Sequence, residues 1–153
     1  MFERKITRAV TVGGLTIGGG APIAIQSMNN TDTRDIAGSI RQIEELADAG
    51  CDLTRLAVPD QEAAEALAAI RRRSPLPIVA DIHFDYRLAL AAIQAGADKI
   101  RINPGNIGGP DRVKAVVEAC RERQIPIRVG VNSGSLSREV IDRFGGVNAQ
   151  SMV

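Results

Sequence analysis

Aromatic residues are scarce in this chain: they make up 3% of its 153 residues, and tryptophan is absent. Most of the 44% hydrophobic share therefore comes from small and branched aliphatic residues. Such residues are typical of the cores of α/β barrels rather than of aromatic-rich β-sandwiches. Because 24% of the residues are charged and the hydrophobic share is ordinary, the composition excludes a disordered segment.

Cysteine and histidine are also rare, with Cys51, Cys120 and His83 as their only representatives. The two cysteines form neither a CxxC motif nor a disulfide framework, which indicates a reducing, cytoplasmic compartment. A metal site built from several histidines is excluded. We therefore expect no metal ligands in this chain.

The sequence has no overall charge or apolar segment that would bind nucleic acid or a membrane. Its formal net charge is only +1, so any site for an anion must be local. No apolar run approaches the roughly 20 residues that a membrane helix needs. We expect a cytoplasmic protein that binds a small molecule and neither nucleic acid nor a membrane.

Strands and helices are predicted to alternate along the chain. A hairpin is expected in residues 6–18, around Gly13 and Gly14. Periodicity then predicts strands near 23–28, 53–58, 77–82, 98–103 and 126–132, and helices near 35–49, 60–73, 85–95, 110–123 and 136–144. Such alternation predicts a parallel sheet covered by helices.

An internal repeat favours a barrel. Residues 49–55 (AGCDLTR) align with 95–101 (AGADKIR), and residues 76–79 (LPIV) align with 125–128 (IPIR). A repeated strand–helix–strand–helix unit indicates a repeated architecture, of which a barrel is the closed form. A doubly wound sheet is the main alternative, but no GxGxxG motif opens a helix after the first strand.

We predict an α/β protein with an N-terminal β-hairpin in residues 1–20 and an incomplete parallel (β/α) barrel of the TIM type in residues 21–153. About five strand–helix units are present, whereas a closed barrel of this type needs eight and roughly 250 residues. Asn148 looks like the cap of another helix, so we expect truncation before the remaining strands. The alternative is a natural half-barrel that dimerises, and either form has open sheet edges that need a partner.

Three arginines are expected where the active sites of this fold lie, at the C-terminal ends of the strands. Arg55 takes the place of Arg101 in the repeat, and Arg128 lies on the last predicted strand. Buried strands cannot leave a charge unpaired without a cost of several kcal/mol, and the guanidinium fork matches phosphate oxygens. We expect the three to bind a phosphate or diphosphate. The alternative is that they pair with Asp52, Asp81 or Asp98.

Polar side chains are predicted beside these arginines. Because strand side chains alternate between faces, Asn103 shares a face with Arg101, and Asn132 shares one with Arg128. The Gly-rich loop at 103–108 could offer backbone N–H groups to a phosphate, although it could equally be a plain turn. Ser135 is expected to cap the following helix.

Asp81 and His83 form a further predicted pair. They lie two residues apart on one strand and could orient a hydroxyl group or transfer a proton. The alternative for Asp81 is an ion pair with an arginine, and Asp85 is expected to cap the next helix.

Four segments resemble a known family: residues 22–28 (PIAIQSM), 79–87 (VADIHFDYR), 101–108 (RINPGNIG) and 128–136 (RVGVNSGSL). They are similar to the N-terminal barrel of the 4-hydroxy-3-methylbut-2-enyl diphosphate synthase family, and the resemblance extends from Thr7 to Gly145. That family converts 2-C-methyl-D-erythritol 2,4-cyclodiphosphate into 4-hydroxy-3-methylbut-2-enyl diphosphate in non-mevalonate isoprenoid biosynthesis. It is an oxidoreductase that takes electrons from ferredoxin or flavodoxin.

The resemblance implies a TIM barrel that holds the diphosphate and a separate C-terminal domain that carries a [4Fe–4S] cluster. It also implies a homodimer in which the cluster domain of one subunit caps the barrel of the other. Carried over by position, the substrate-binding residues would be Arg55, Asp81, His83, Arg101, Asn103, Arg128 and Asn132. No cysteine here matches a cluster motif, so we expect no catalytic residue, no bound cluster and negligible turnover in this chain alone.

Two other functions stay open from the sequence. One is a barrel transferase similar to dihydropteroate synthase, which also binds a diphosphate at the ends of its strands. The other is a non-catalytic half-barrel that assembles with itself or with a partner.

Overall fold

The predicted N-terminal hairpin is present. The computed structural model describes residues 5–152. Residues 1–4 of the predicted hairpin segment and Val153 of the predicted barrel segment lie outside the described residues. Two antiparallel strands, β1 (Val10–Val12) and β2 (Leu15–Ile17), form the hairpin. Val12 is fully buried against Leu53 and Val79, so the hairpin covers part of the main sheet.

Five parallel strands in chain order form that sheet. They are β3 (Gln26–Met28), β4 (Leu53–Ala57), β5 (Ile78–Ile82), β6 (Lys99–Ile102) and β7 (Ile127–Val129). Each strand pairs with the next in sequence, in the order β3-β4-β5-β6-β7. Among the described residues the sheet does not close on itself. The predicted incomplete (β/α) barrel of about five units is confirmed.

Helices follow each strand of this sheet, and those between strands cover one of its faces. They are α1 (Ile36–Asp48), α2 (Gln61–Arg73), α3 (Tyr86–Gln94), α4 (Pro104–Ile107), α5 (Pro110–Glu122), α6 (Arg138–Phe144) and α7 (Ala149–Met152). The side chains of Asp35, Asp60 and Asp85 accept backbone N–H bonds at the starts of α1, α2 and α3. Such caps satisfy N–H groups that a helix start leaves unpaired, and the predicted cap at Asp85 is confirmed.

The two faces of the sheet differ in chemistry. On the helix side, buried aliphatic residues of β4, β5 and β6 form the core with the helices; they include Leu56, Ile78, Ala80, Ile82, Ile100 and Ile102. On the other side, one row of paired residues is Ala57, Asp81, Arg101 and Arg128. Because side chains alternate along strands, the charged residues of β4–β7 therefore point away from the helices.

Two strands are shorter than predicted. β3 begins at Gln26 rather than at residue 23, and Ile23 and Ile25 are 74% and 58% exposed. β7 ends at Val129 rather than at residue 132, and Val129 is 60% exposed. Both strands lie at edges of the sheet, where a single neighbour provides hydrogen bonds, so the apolar pattern overestimated their length.

Two local predictions near the strand ends need correction. The Gly-rich segment after β6 contains the short helix α4, which Asn103 caps and in which Pro104 is the first residue. The prediction that Ser135 caps the next helix was wrong. Ser135 lies in a 3₁₀ turn (Ser133–Ser135), and α6 is capped instead by the hydroxyl of Ser137, which accepts the N–H of Val140 at 3.3 Å.

Candidate functional site

Asp81 lies at the centre of the polar face of the sheet and contacts two arginines. Its side chain is only 3% exposed. Nη1 of Arg101 donates to Oδ1 of Asp81 at 3.1 Å, and Nε of Arg55 lies 3.4 Å from Oδ2. One buried carboxylate therefore orients two guanidinium groups that come from strands on either side of it.

Arg128 is the third arginine on this face, and it has a different environment. It lies on the edge strand β7, is exposed, and makes no ion pair within 4 Å with any described carboxylate. The expected burial of the strand arginines was wrong for Arg128, because no further described strand covers β7, whereas Arg55 and Arg101 are partly buried.

A concave space of about 480 Å³ brings most of the predicted residues together. Its lining includes Arg55, Asp81, His83, Arg101, Arg128 and Asn132 from the prediction, and also Met28, Gly130 and Val131. Asn103 is not part of the lining. Three guanidinium groups face one carboxylate, so the lining has a formal charge of +2 while His83 is neutral. Such a surplus of positive charge in a cleft attracts anions.

The alternative of arginine–aspartate pairs holds only in part. Asp81 does pair with Arg55 and Arg101, but Asp52 and Asp98 are engaged elsewhere. Oδ2 of Asp52 accepts the N–H of Ile25 at 2.7 Å, and Asp98 pairs with Arg71 at 2.8 Å. These two carboxylates hold strand starts, and no described carboxylate balances the third arginine of the cavity.

His83 and Met28 border the same cavity. Nε2 of His83 is 3.8 Å from Oδ2 of Asp81, which is too long for a hydrogen bond, and 42% of the His83 side chain is exposed. The imidazole is therefore accessible from the cavity. The sulfur of Met28 accepts from Nη2 of Arg55 at 3.0 Å. Sequence reasoning assigned no role to Met28, and its position at the end of the first predicted strand was the available signal.

The loops after β6 and β7 are joined through Ser135. Its hydroxyl accepts from Nδ2 of Asn103 at 2.8 Å and from the N–H of Asn132 at 3.1 Å. Oδ1 of Asn103 accepts the N–H of Gly105 at 3.0 Å. Asn103 is 2% exposed, so its amide holds the two loops together rather than facing the cavity. Asn132 borders the cavity as part of the turn that follows β7.

Sequence reasoning also missed Lys99, which lies on the same face of β6 as Arg101, nearer the strand start. Lys99 borders a separate space with Arg128 and the hairpin residue Ile17. Burial, and then the nearby charge of Arg128, lower the pKa of Lys99 from its usual 10.5. The two-residue spacing from Arg101 was the available signal.

The described cysteines do not form a metal site. Cys120 is 2% exposed, and its burial raises the pKa of its thiol to about 11, which disfavours the thiolate that binds metals. Within residues 5–152, no group of three or more His, Cys, Asp or Glu side chains could hold a metal ion. In the same part of the chain, no helix has both the length and the apolar character to cross a membrane.

Residues 7–153 match a family model described as the GcpE TIM-barrel domain. The chain is 58% identical over 153 residues to the 4-hydroxy-3-methylbut-2-en-1-yl diphosphate synthase (flavodoxin) of Maridesulfovibrio salexigens, a match that covers 100% of the chain and 43% of that protein. The protein of the same name from Ruminiclostridium cellulolyticum is 54% identical over 152 residues, with 99% and 43% coverage. The chain thus spans less than half the length of these curated relatives.

A solved structure supports the fold. The 7,8-dihydropteroate synthase of Vibrio fischeri superposes with a TM-score of 0.56 over 79% of this chain and 49% of that one. The two sequences are 15% identical, so this likeness concerns the fold alone.

Proposed function

Because the chain belongs to the family of the GcpE TIM-barrel domain, we propose that it is the substrate-binding barrel portion of a 4-hydroxy-3-methylbut-2-enyl diphosphate synthase. Family membership confirms the resemblance seen in the sequence. The names of the curated relatives support the activity, but the chain spans only 43% of their length, so the activity of the whole enzyme is part of the proposal.

The excess of positive charge in the cavity supports a diphosphate ligand most directly. Arg55 and Arg101 share the single carboxylate of Asp81, and Arg128 has no described partner. A diphosphate would neutralise the remaining charge, and guanidinium groups bind phosphoryl oxygens through paired N–H donors. We propose that Arg55, Arg101 and Arg128 hold the diphosphate part of 2-C-methyl-D-erythritol 2,4-cyclodiphosphate.

The other predicted residues receive different roles in this proposal. His83 and Asn132 border the cavity and would contact the ligand directly. Asp81 would orient Arg55 and Arg101, and its carboxylate would also be available to a substrate hydroxyl group. Asn103 would act indirectly, by holding the turn that carries Asn132 through Ser135.

The proposed reaction opens the ring of the cyclodiphosphate and removes a hydroxyl group, with electrons from flavodoxin or ferredoxin. When bound, a [4Fe–4S] cluster supplies the electron transfer. The described residues do not fit such a cluster, because Cys120 is buried and no group of three candidate ligands exists among them. In this proposal the cluster belongs to a part of the relatives that this chain does not cover, and the barrel binds and orients the substrate. A homodimer and a cytoplasmic location complete the proposal.

Binding of the cyclodiphosphate to the 153-residue chain tests the proposal by isothermal titration calorimetry. Arg128→Ala should weaken binding by about 10- to 100-fold, because a hydrogen bond to a charged group contributes about 1.5–3 kcal/mol. Its melting temperature should not change, since Arg128 makes no described ion pair. Arg123→Ala, at an exposed arginine outside the cavity, is the control and should bind normally. The proposal fails if Arg128→Ala binds the cyclodiphosphate as tightly as the unchanged chain.

Turnover can be tested in a chimera. The chain would replace the matching segment of the Maridesulfovibrio salexigens relative, and reduced flavodoxin would provide electrons. We expect the chimera to form 4-hydroxy-3-methylbut-2-enyl diphosphate and Arg101→Ala to reduce kcat/KM by more than about tenfold, as loss of a charge-assisted contact does. We expect the chain alone to show negligible turnover, and an iron–sulfur absorbance band in the purified chain would contradict this.

The alternatives from the sequence have less support. The likeness to dihydropteroate synthase concerns the fold alone, so it does not favour a pterin transferase. Self-assembly of a non-catalytic half-barrel stays a prediction. The molecular mass in size-exclusion chromatography, with and without pyrophosphate, tests it, because a purely structural assembly would ignore pyrophosphate.

A further inference from the structure

The side chain of Arg101, on β6, fills the space beside Gly130, the residue that follows β7. A Cβ atom added to Gly130 would lie 2.7 Å from Nε, 2.7 Å from Nη2 and 3.1 Å from Cζ of Arg101. Real Cβ atoms essentially never approach another heavy atom below 3.0 Å. The guanidinium group therefore occupies the space in which any other residue at position 130 would carry its side chain.

The backbone at position 130 does not itself require glycine. Gly130 is not among the described glycines with positive φ, so an alanine could adopt its conformation. Its N–H donates to the carbonyl oxygen of Ile102 at 2.9 Å, which extends the pairing of β6 and β7. Apart from its chain neighbours, the three heavy atoms nearest to an added Cβ all belong to Arg101. A side chain at position 130 could therefore be accommodated only by a shift of the Arg101 guanidinium group.

The contact involves a particular edge of the guanidinium group. Nη1 of Arg101 donates a hydrogen bond to Asp81, whereas Nε and Nη2 make no hydrogen bond with a described residue. These two nitrogens form the edge that binds two phosphoryl oxygens at once. A side chain at position 130 would collide with both of them.

We propose that Gly130 is a positioning residue, which keeps the Nε–Nη2 edge of Arg101 in place and open for two-point binding of a phosphoryl group. This inference rests on the proposed function, because the orientation of Arg101 affects binding only if the cavity holds an anion. Asp81 anchors the guanidinium group from β5, and Gly130, directly after β7, leaves the space for it because it has no side chain. Alanine at position 130 would displace the group without removing any charge.

Gly130→Ala in the 153-residue chain provides the test, with pyrophosphate as the probe. We expect Kd measured by calorimetry to rise at least tenfold, or about 1.4 kcal/mol. The ¹⁵N–¹H signal of Arg101 Nε, assigned by its absence in Arg101→Lys, should shift in the ligand-free variant. A merely structural role would not move this signal selectively. Gly134→Ala is the matched control, because Gly134 has no heavy atom within 4 Å of an added Cβ.

A double variant makes the result unambiguous. In the Arg101→Lys background, Gly130→Ala should cause no further loss of pyrophosphate affinity, because the guanidinium group with which the methyl group collides is gone. If Gly130→Ala fails to fold, the double variant should fold. Failure of both variants to fold would show that the backbone needs glycine and would overturn the proposal.

Failure of this inference can be distinguished from failure of the proposed function. If the unchanged chain does not bind pyrophosphate, diphosphate binding is contradicted, and the Nε signal still reports whether Gly130 positions Arg101. If the unchanged chain binds and Gly130→Ala binds equally well with an unshifted Nε signal, the positioning role is wrong and diphosphate binding stands.

Discussion

Asp52 and Asp98 perform the same task one internal repeat apart. Oδ2 of Asp52 accepts the N–H of Ile25 at 2.7 Å, and Oδ2 of Asp98 accepts the N–H of Ile78 at 2.8 Å. Each carboxylate precedes its own strand and binds the start of the neighbouring strand. Asp98 also pairs with Nε of Arg71 at 2.8 Å. The sequence repeat thus reflects a repeated way of holding parallel strands in register.

The additional ion pair predicts unequal effects of removing these carboxylates. Asp98→Ala should lower the free energy of unfolding by about 2–4 kcal/mol, because it leaves a buried N–H and Arg71 unpaired. Asp52→Ala should cost about 1 kcal/mol. Urea denaturation measures both losses. Asp142→Ala, at an exposed residue, is the control, and its free energy of unfolding should differ from that of the unchanged chain by less than about 0.5 kcal/mol. Equal losses at the two positions would contradict this account.

Neutralising Asp81 should destabilise the chain and make it more responsive to anions. Asp81→Asn should lower the free energy of unfolding by about 2 kcal/mol, since Arg55 and Arg101 lose their shared carboxylate. Pyrophosphate should then raise the melting temperature of Asp81→Asn more than that of the unchanged chain, because the anion replaces the lost charge. Differential scanning fluorimetry measures these shifts.

The control for Asp81 is Asp85→Asn, which changes an exposed pair. Arg87 holds the pKa of Asp85 below its usual value at the surface of the chain, where an ion pair contributes little. Asp85→Asn should leave the pyrophosphate response unchanged. An equal response in both variants would show that the anion does not bind near Asp81.

Asn103 should matter for the loops and not for charge. Asn103→Ala removes the bond to Ser135 and the cap of α4, so we expect a loss of about 1–3 kcal/mol in the free energy of unfolding. Hydrogen exchange at the N–H of Asn132 should become faster, because Ser135 would lose one of its anchors. Asn106→Ala is the matched control, as this exposed asparagine makes no described side-chain hydrogen bond. Unchanged exchange at Asn132 would contradict the indirect role of Asn103.

Replacing Lys99 with an uncharged residue should stabilise the chain. Its lowered pKa means that the folded chain binds this proton less tightly than the unfolded chain. Its charge therefore opposes folding below the folded-state pKa, and stability recovers as pH rises from that pKa toward 10.5. Lys99→Met should raise the melting temperature at pH 7. The gain in the free energy of unfolding should not exceed about 1 kcal/mol, because solvent screens a partly exposed charge. The substitution should also remove the recovery at high pH.

Lys114→Met is the control for this effect. Lys114 is 74% exposed and lies 3.9 Å from Glu118, an arrangement whose loss changes stability by about 0.3–0.5 kcal/mol. Thermal melts from pH 7 to pH 10.5 compare the two variants. A lower melting temperature for Lys99→Met at pH 7 would contradict the proposed penalty.

The order of strands and helices could be read from the sequence because it depends on local properties. Apolar periodicity and the repeat of residues 49–55 in 95–101 predicted the parallel sheet, and the cap at Asp85 was also predicted. The repeat likewise matched Arg55 to Arg101, and strand alternation placed Asp81 and His83 on one face of their strand. These features follow from neighbours a few residues apart, for which the backbone repeat sets the direction of each side chain.

Only the tertiary structure decided how these side chains divide their partners. Asp81 serves two arginines while Arg128 stays exposed, because register and edge position determine which charges meet. The side chain of Asn103 bonds to Ser135 in the next loop, although strand alternation placed it on the same face as Arg101. Gly130 makes room for the side chain of Arg101, and this relationship between two segments cannot be read from the pattern along either one. Such contacts join residues distant in sequence, and their geometry depends on packing of the whole sheet.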